Sequence, residues 1–427
     1  MFSLASLLSV AAMNVCATFA RADAATSSRT HTSQKSASKI SDPISAPQWR
    51  IEHWAPDGAA VLIAASPATA NQAQATHPAS ITKLLTALVA LESIAAGEHR
   101  LDSQSTISAQ AMAQDGSRVG YRVGESVSLA DLLQAMLAIS GNDAAWAVAE
   151  HVAGSTPAFV ARMNALNTRL ALTHSQWTNP HGLSDAAHQS SAADLLKIAH
   201  VLWQKYPQAR PWLSVKQYTW NGLTQANRNS LLRRDFGLGT QVDGLKTGRT
   251  DAAGYNLALT TSRRTVVGDD VYDWRLSTIV LGAETAAARA QDSAALLHWA
   301  WANYVPTRLY ASGAFAGKLV IAGAAEPISV RAAAPLWVVL PIGTQASSLI
   351  YSLHPNAALA APQPAGSALG ELRVSAMDTS QHATVLARVA VTTPVAIERA
   401  PVWMRFKLWL RQGLKSILSF NHVLFQQ

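Results

Sequence analysis

The chain has a single cysteine, Cys16, close to its N-terminus. If the segment around it is removed as a secretion leader, no thiol remains. Disulfides, thiol catalysis and thiolate-held zinc are then excluded. Charge is also scarce: 14% of residues are charged and 49% are apolar, which suits packed cores and excludes a charge-rich disordered chain. The basic excess is mild, 34 Lys+Arg against 26 Asp+Glu for a formal +8. That suits an anionic membrane surface, cell wall or nucleic acid and does not choose among them. The basic residues concentrate at the C-terminal tail and no nucleic-acid-reading module is present, so nucleic acid is not an expected partner. Nor is a metal expected. His174, His181 and His188 recur every seven residues, but in loop-like text without a His-Glu-x-x-His arrangement or clustered carboxylates.

At 427 residues the chain is too long for one compact core, so two or more domains are expected. Residues 1–24 read as a signal peptide: residues 4–12 are apolar or small, and Ala20-Arg21-Ala22 and Ala22-Asp23-Ala24 offer cleavage sites. No Lys or Arg precedes the apolar run, a departure from the usual leader. Residues 25–48 are a Ser/Thr/Ala-rich flexible spacer without apolar periodicity. From Trp49 the texture is globular. A strand is predicted at 59–64, and Pro78 opens a helix over 79–96. A second helix spans 129–139 and stops at Ser140-Gly141-Asn142; another runs from Asp143 towards His151. Residues 241–261 read as two strands, 265–273 as an insertion, 276–282 as a strand and 285–304 as a helix. Residues 49–305 thus form an α/β or α+β domain. Residues 306–397 carry short β-rich runs at 318–321, 336–340, 348–353, 370–375 and 384–391, expected to form a small all-β sandwich. In residues 398–427, Trp403, Phe406, Leu410, Leu414 and Ile417 make one apolar stripe, with Lys407, Arg411 and Lys415 on another face. That is a basic amphipathic helix suited to an anionic membrane surface and too charged to span a bilayer.

Three short elements carry the chemistry. Ser80-Ile81-Thr82-Lys83 opens a helix, where residues three apart share a face, so the Lys83 amine can reach the Ser80 hydroxyl. Lysine is a base only when neutral, and holding it so at pH 7 costs roughly 4.6 kcal/mol unless burial and a neighbouring cation lower its pKa. Ser36-Ala37-Ser38-Lys39 repeats the pattern in the spacer, with no core to desolvate its lysine, and is discounted. Ser140-Gly141-Asn142 is a turn between helices: Ser140 can pass a proton to a leaving amine and Asn142 can hold a peptide carbonyl. Lys246-Thr247-Gly248 lies on a strand. There Lys246 supplies the second cation, Lys246 and Thr247 can receive a carboxylate, and Gly248 leaves room for a substrate backbone. Each element alone reads as ordinary structure: a helix-start serine, a helix-stop turn, a surface hairpin.

In this order the elements resemble the signature of the penicillin-recognising serine enzymes. The flanking text, Pro78-Ala79 before Ser80, Asp143, His181-Gly182-Leu183, Asn227-Arg228-Asn229 and the run DGLKTGRTDAAGYNL from Asp243, resembles the low-molecular-mass penicillin-binding proteins, the D-alanyl-D-alanine carboxypeptidases. The resemblance implies a transpeptidase/β-lactamase-like catalytic domain, with helices around a mainly antiparallel sheet. It implies that Ser80 attacks the peptide between two terminal D-alanines of a peptidoglycan pentapeptide, Lys83 takes its proton and Ser140 protonates the departing D-alanine. The N–H groups of Ser80 and Arg249 would form the oxyanion hole, and Lys246 and Thr247 would bind the carboxylate. β-Lactams would acylate the same serine, no cofactor is implied, and the enzyme would be periplasmic, held on the outer face of the cytoplasmic membrane. Arg228 and Arg289 match arginines near the family's site, with a structural salt bridge as the competing reading. Where the family often has His after K-T-G, this chain has Arg249. A β-lactamase or esterase, a D,D-endopeptidase and a non-catalytic wall-binding scaffold are the alternative functions.

Overall fold

The computed structural model describes residues 40, 44–66, 75–234, 236–240, 242–377 and 383–404. The signal-peptide segment, the Ser36–Lys39 repeat and residues 405–427 of the amphipathic tail lie outside the described residues. The chain forms two compact units, one ending at Pro306 and including Val339–Ile342, the other comprising Thr307–Val338 and the chain from Gly343 on.

The first unit opens with β1 (Gln48–Trp54) and β2 (Ala60–Ala65). A 3-10 turn, Ala79–Thr82, leads into α1 (Lys83–Ala95). Then come β3 (Gln104–Thr106), α2 (Ala109–Met112), β4 (Ser126–Ser128), α3 (Leu129–Ala138), α4 (Asn142–Ala153), α5 (Thr156–Leu170), α6 (Ala192–Lys205) and α7 (Arg210–Ser214). The hairpin β5 (Gln217–Trp220) and β6 (Leu223–Ala226) precedes β7 (Val242–Thr250), β8 (Gly254–Val267), β9 (Asp270–Ala283) and α8 (Ala286–Asn303). Strands β2-β1-β9-β8-β7, in that order, make one antiparallel sheet, so β7 is an edge. Helix α1 is apolar on nearly every face and buried accordingly, the pattern of a central helix. Leu84, Leu85, Leu88 and Leu91 share one buried cluster with Leu132, Leu133 and Met136 of α3, Val148 of α4 and Leu195 and Leu196 of α6. Its first residue, Lys83, is therefore buried as well. Serine and threonine caps fix the helix starts: the Ser128 Oγ accepts from the Asp131 N–H of α3, and the Thr285 Oγ1 from the Ala288 N–H of α8.

The insertion expected at 265–273 is instead an extension of the β8–β9 hairpin. Pairing continues from Thr265↔Tyr272 to Val267↔Asp270 around the two-residue turn Gly268-Asp269. Gly268 has φ +61°, the left-handed conformation such a turn needs.

The second unit is all-β. β10 (Tyr304–Tyr310) leads in from the first unit, followed by β11 (Phe315–Leu319), β12 (Ile328–Ala332), β13 (Leu336–Pro341), β14 (Ile350–Pro355), β15 (Ala368–Met377) and β16 (Ala383–Thr392). Five of them form an antiparallel sheet in the order β11-β12-β16-β15-β14. Strand alternation is clean in β16, where Ala387, Val389 and Val391 face inward and Arg388 and Ala390 outward. Strand β12 was not anticipated from the sequence. Its inward set is only Val330 and Ala332, too short a signal to read.

Candidate active site

The edge strand β7 runs beside the turn that begins α1. A Cβ added to Gly248 would lie 3.0 Å from the Ser80 backbone N and 3.0 Å from the Pro78 carbonyl oxygen. Glycine is what allows this approach, and it places Lys246-Thr247-Gly248 beside Ser80. Two non-glycine residues at the site hold left-handed backbone, Ala79 (φ 49°) before Ser80 and Ser140 (φ 70°) between α3 and α4. Such conformations persist only where the surroundings impose them.

Ser80 and Lys83 are one turn apart, and Lys83 Nζ lies 2.9 Å from Ser80 Oγ. The same nitrogen lies 2.6 Å from Asn142 Oδ1 and 2.7 Å from the His181 carbonyl oxygen. Both of these oxygens can only accept. In its neutral form this amine has two N–H bonds for Asn142 and His181 and one lone pair able to accept from the Ser80 O–H. Burial, together with the Lys246 and Arg228 charges, holds the Lys83 pKa well below that of an ordinary lysine; the Asp143 carboxylate opposes this. Lys246 is buried too, and burial followed by the Arg228 and Arg289 charges lowers its pKa to about 7.

The cleft above these groups has a volume of about 310 Å³ and is lined by Ser80, Ser140, Thr247, Arg249 and Arg289, with Ser117 and Tyr255 among the rest. Of the residues singled out in the sequence, Lys83, Asn142 and Lys246 stand behind its wall. Asn142, expected to hold a substrate carbonyl, spends Oδ1 on Lys83 and donates from Nδ2 to the Asp115 carbonyl oxygen at 2.5 Å. Lys246 Nζ donates to the Thr247 carbonyl oxygen at 2.9 Å.

The salt-bridge reading of the two arginines does not hold: among the described residues neither meets a carboxylate. Arg228 Nη1 donates to Ser117 Oγ at 2.6 Å. Arg289 reaches the backbone oxygens of Asn256 and Arg228 at 3.3 Å, and its buried Nε has no acceptor among the described residues. Burial, with the Arg228 charge, lowers the Arg289 pKa to about 10, against the pull of Tyr255. Arg249 differs, pairing with exposed Asp251 at 2.6 Å and lying over the Tyr255 ring.

Sequence reasoning missed the part played by the His181 carbonyl. It also missed Ser117, Tyr255 and Asp143, whose carboxylate accepts from the Val119 and Gly120 N–H groups and so anchors the loop carrying Ser117. Only Asp143, Tyr255 and His181 stood in quoted motif text. Ser117 had no spacing signal. Among the described residues the three spaced histidines form no group that could hold a metal ion: His181 stacks on Trp146, His188 packs edge-on to Trp177, and His174 sits by Thr173. Burial is the main force lowering the His181 pKa to about 3 and the His188 pKa to about 4, so both rings are neutral near pH 7.

The D-alanyl-D-alanine carboxypeptidase family profile matches residues 61–285, the stretch that contains every one of these groups except Arg289 and Ala286. The chain belongs to this family. D-alanyl-D-alanine carboxypeptidase DacA of Haemophilus influenzae is 32% identical over 308 residues, covering 71% of this chain and 75% of the relative. The Escherichia coli carboxypeptidase DacD is 34% identical over 280 residues, 64% of this chain and 69% of that one. Among solved structures, penicillin-binding protein 5 of Haemophilus influenzae superimposes with a TM-score of 0.66 at 27% identity, covering 84% of this chain and 99% of that chain. The ampicillin-bound form of penicillin-binding protein D2 from Listeria monocytogenes matches 60% of this chain and 97% of its own length, with a TM-score of 0.50 at 27% identity. The protein is a serine-type hydrolase acting on D-alanyl-D-alanine termini.

Proposed function

We propose that hydrolysis runs through an acyl-enzyme on Ser80. A pentapeptide lies along the open edge of β7, its terminal carboxylate held by Thr247, Arg289 and Arg228 in the field of Lys246, and its scissile carbonyl oxygen facing the N–H groups of Ser80 and Arg249. Neutral Lys83 takes the proton of Ser80 as Oγ attacks the carbonyl carbon. The two N–H groups stabilise the oxyanion, an effect worth about 10²–10³ in rate per donor. Ser140 passes to the leaving amine the proton that Lys83 took, D-alanine departs, and water attacks the acyl carbonyl, its proton passing through Lys83 to Ser80 Oγ as the acyl group leaves. The observation that carries this reading is the Lys83 amine, buried and holding two fixed acceptors with its remaining valence 2.9 Å from Ser80 Oγ. A β-lactam presents a similar carbonyl and carboxylate, and the ampicillin-bound Listeria relative supports acylation of this chain in the same way. Peptide mapping of penicillin-treated protein is expected to put one adduct on the fragment containing Ser80. An adduct on any other residue overturns the assignment.

The proposal extends to location: export to the periplasm and attachment to an anionic membrane surface through residues 398–427. The basic stripe and the apolar stripe of the tail support it. Removing residues 400–427 is expected to abolish binding to anionic liposomes and leave turnover of soluble peptide unchanged. Undiminished liposome binding by the truncated protein sinks the anchor.

A further inference from the structure

The carbonyl of Ala79, the strained residue before Ser80, is enclosed from two sides. On one, a Cβ on Gly182 would sit 1.9 Å from its oxygen, so only glycine fits. On the other, Thr82 Oγ1 donates to that oxygen at 2.7 Å. Thr82 has one hydroxyl proton and spends it there. Its contact with His188 Nε2 at 2.8 Å must therefore be a bond donated by the ring. At the ring's other nitrogen, the Thr178 backbone N–H donates to Nδ1 at 3.1 Å, which requires an unprotonated Nδ1. Both contacts demand one form, the neutral Nε2–H tautomer. The low pKa of this buried ring agrees with that form. A chain of donors thus runs from Thr178 through His188 and Thr82 to Ala79, and ends where the backbone is held against its own preference. His188 itself is 1% exposed and lines no part of the cleft.

We propose that His188 is a positioning residue for acylation: its Nε2–H fixes the Thr82 hydroxyl on the Ala79 carbonyl, and so fixes the left-handed turn that aims the Ser80 N–H and Oγ at the scissile bond. This rests on Ser80 being the nucleophile. Without His188 the Thr82 hydroxyl is free to rotate and the turn loosens. Displacements of about 1 Å at a reacting group cost on the order of a hundredfold in rate.

The test is the acylation rate and half-saturating concentration with fluorescent penicillin, measured on folded protein verified by near-ultraviolet circular dichroism. H188L and T82V are each expected to slow acylation about ten- to a hundredfold, with half-saturation moved less than about twofold. The double variant should lose no more than either single one, because both break one chain. H188Q, which keeps an N–H donor, and T82S, which keeps the hydroxyl, should recover most of the loss. Parental rates in T82V, losses that multiply in the double variant, or a defect confined to half-saturation each overturn the proposal. Should H188L fail to fold, T82V against T82S still decides the hydroxyl, and nitrogen NMR of the His188 ring in the parent decides the tautomer: a proton on Nδ1 refutes it. Labelling of an S80A variant speaks to the nucleophile alone and is read separately.

Discussion

Ser80→Ala should release no detectable D-alanine and take up no labelled penicillin, while remaining folded. The substitution removes one oxygen that lies 2.9 Å from Lys83 Nζ. Among the described residues no other hydroxyl takes its place: Ser117, Ser140, Thr247 and Tyr255 also line the cleft, but none of them hydrogen-bonds that amine. The Ser80 and Arg249 N–H groups and the side chains of Thr247, Arg228 and Arg289 survive, and an oxyanion hole with substrate binding alone sustains about 10³–10⁴ over water in serine enzymes stripped of their nucleophile. That residue is invisible in a D-alanine assay, and it forms no covalent adduct. Stability should change little, since Lys83 keeps Asn142 and His181 and the turn is backbone-defined; a melting shift of no more than a few degrees is expected. Labelling that persists in this variant contradicts the whole assignment of roles.

Lys83→Arg separates charge from basicity. Guanidinium is never deprotonated in proteins, so it keeps the cation and loses the lone pair. Acylation by penicillin should fall about 10²–10⁴-fold, the range for loss of a positioned general base. A variant within a few-fold of the parent would mean that another group takes the Ser80 proton. The same lysine leaves a mark on stability. Its pKa is lower in the folded protein than in the unfolded chain, where it returns to about 10.4. Between those values the unfolded chain binds the extra proton, so stability rises with pH across the window and is lost as pH falls through it. Lys246 adds a window of its own from about 7 upward. Lys83→Met, which titrates in neither state, should flatten the rise in melting temperature from neutral to alkaline pH. An unchanged slope would show that Lys83 is not buried uncharged.

Much of this site could be read from the residues because its parts are local. One helical turn joins Ser80 to Lys83, one turn between helices presents Ser140, and one strand carries Lys246 to Arg249. The repeat at Ser36–Lys39, discounted from its composition, lies outside the described residues. What was not legible depends on close approach between distant segments. Nothing in the spacing of His181 announces that its carbonyl, rather than its ring, meets Lys83. Nothing in Asn142 says that its amide is already engaged by Lys83 and the Asp115 carbonyl. In the fold, residues 265–273 read as an insertion by composition, yet they extend the β8–β9 hairpin around Gly268-Asp269, and a Gly-Asp pair between β-branched runs is itself a hairpin signal.

Arg228 and Arg289 face the cleft without an acidic neighbour among the described residues, and this reaches beyond the bound complex. Uncompensated positive potential in a concave mouth draws anionic peptides in before any contact is made. The encounter rate with carboxylate-bearing substrates therefore declines as ionic strength shortens the Debye length, to about 8 Å at 0.15 M. Uncharged ester substrates escape that penalty, so the discrimination between the two classes is sharpest in dilute electrolyte.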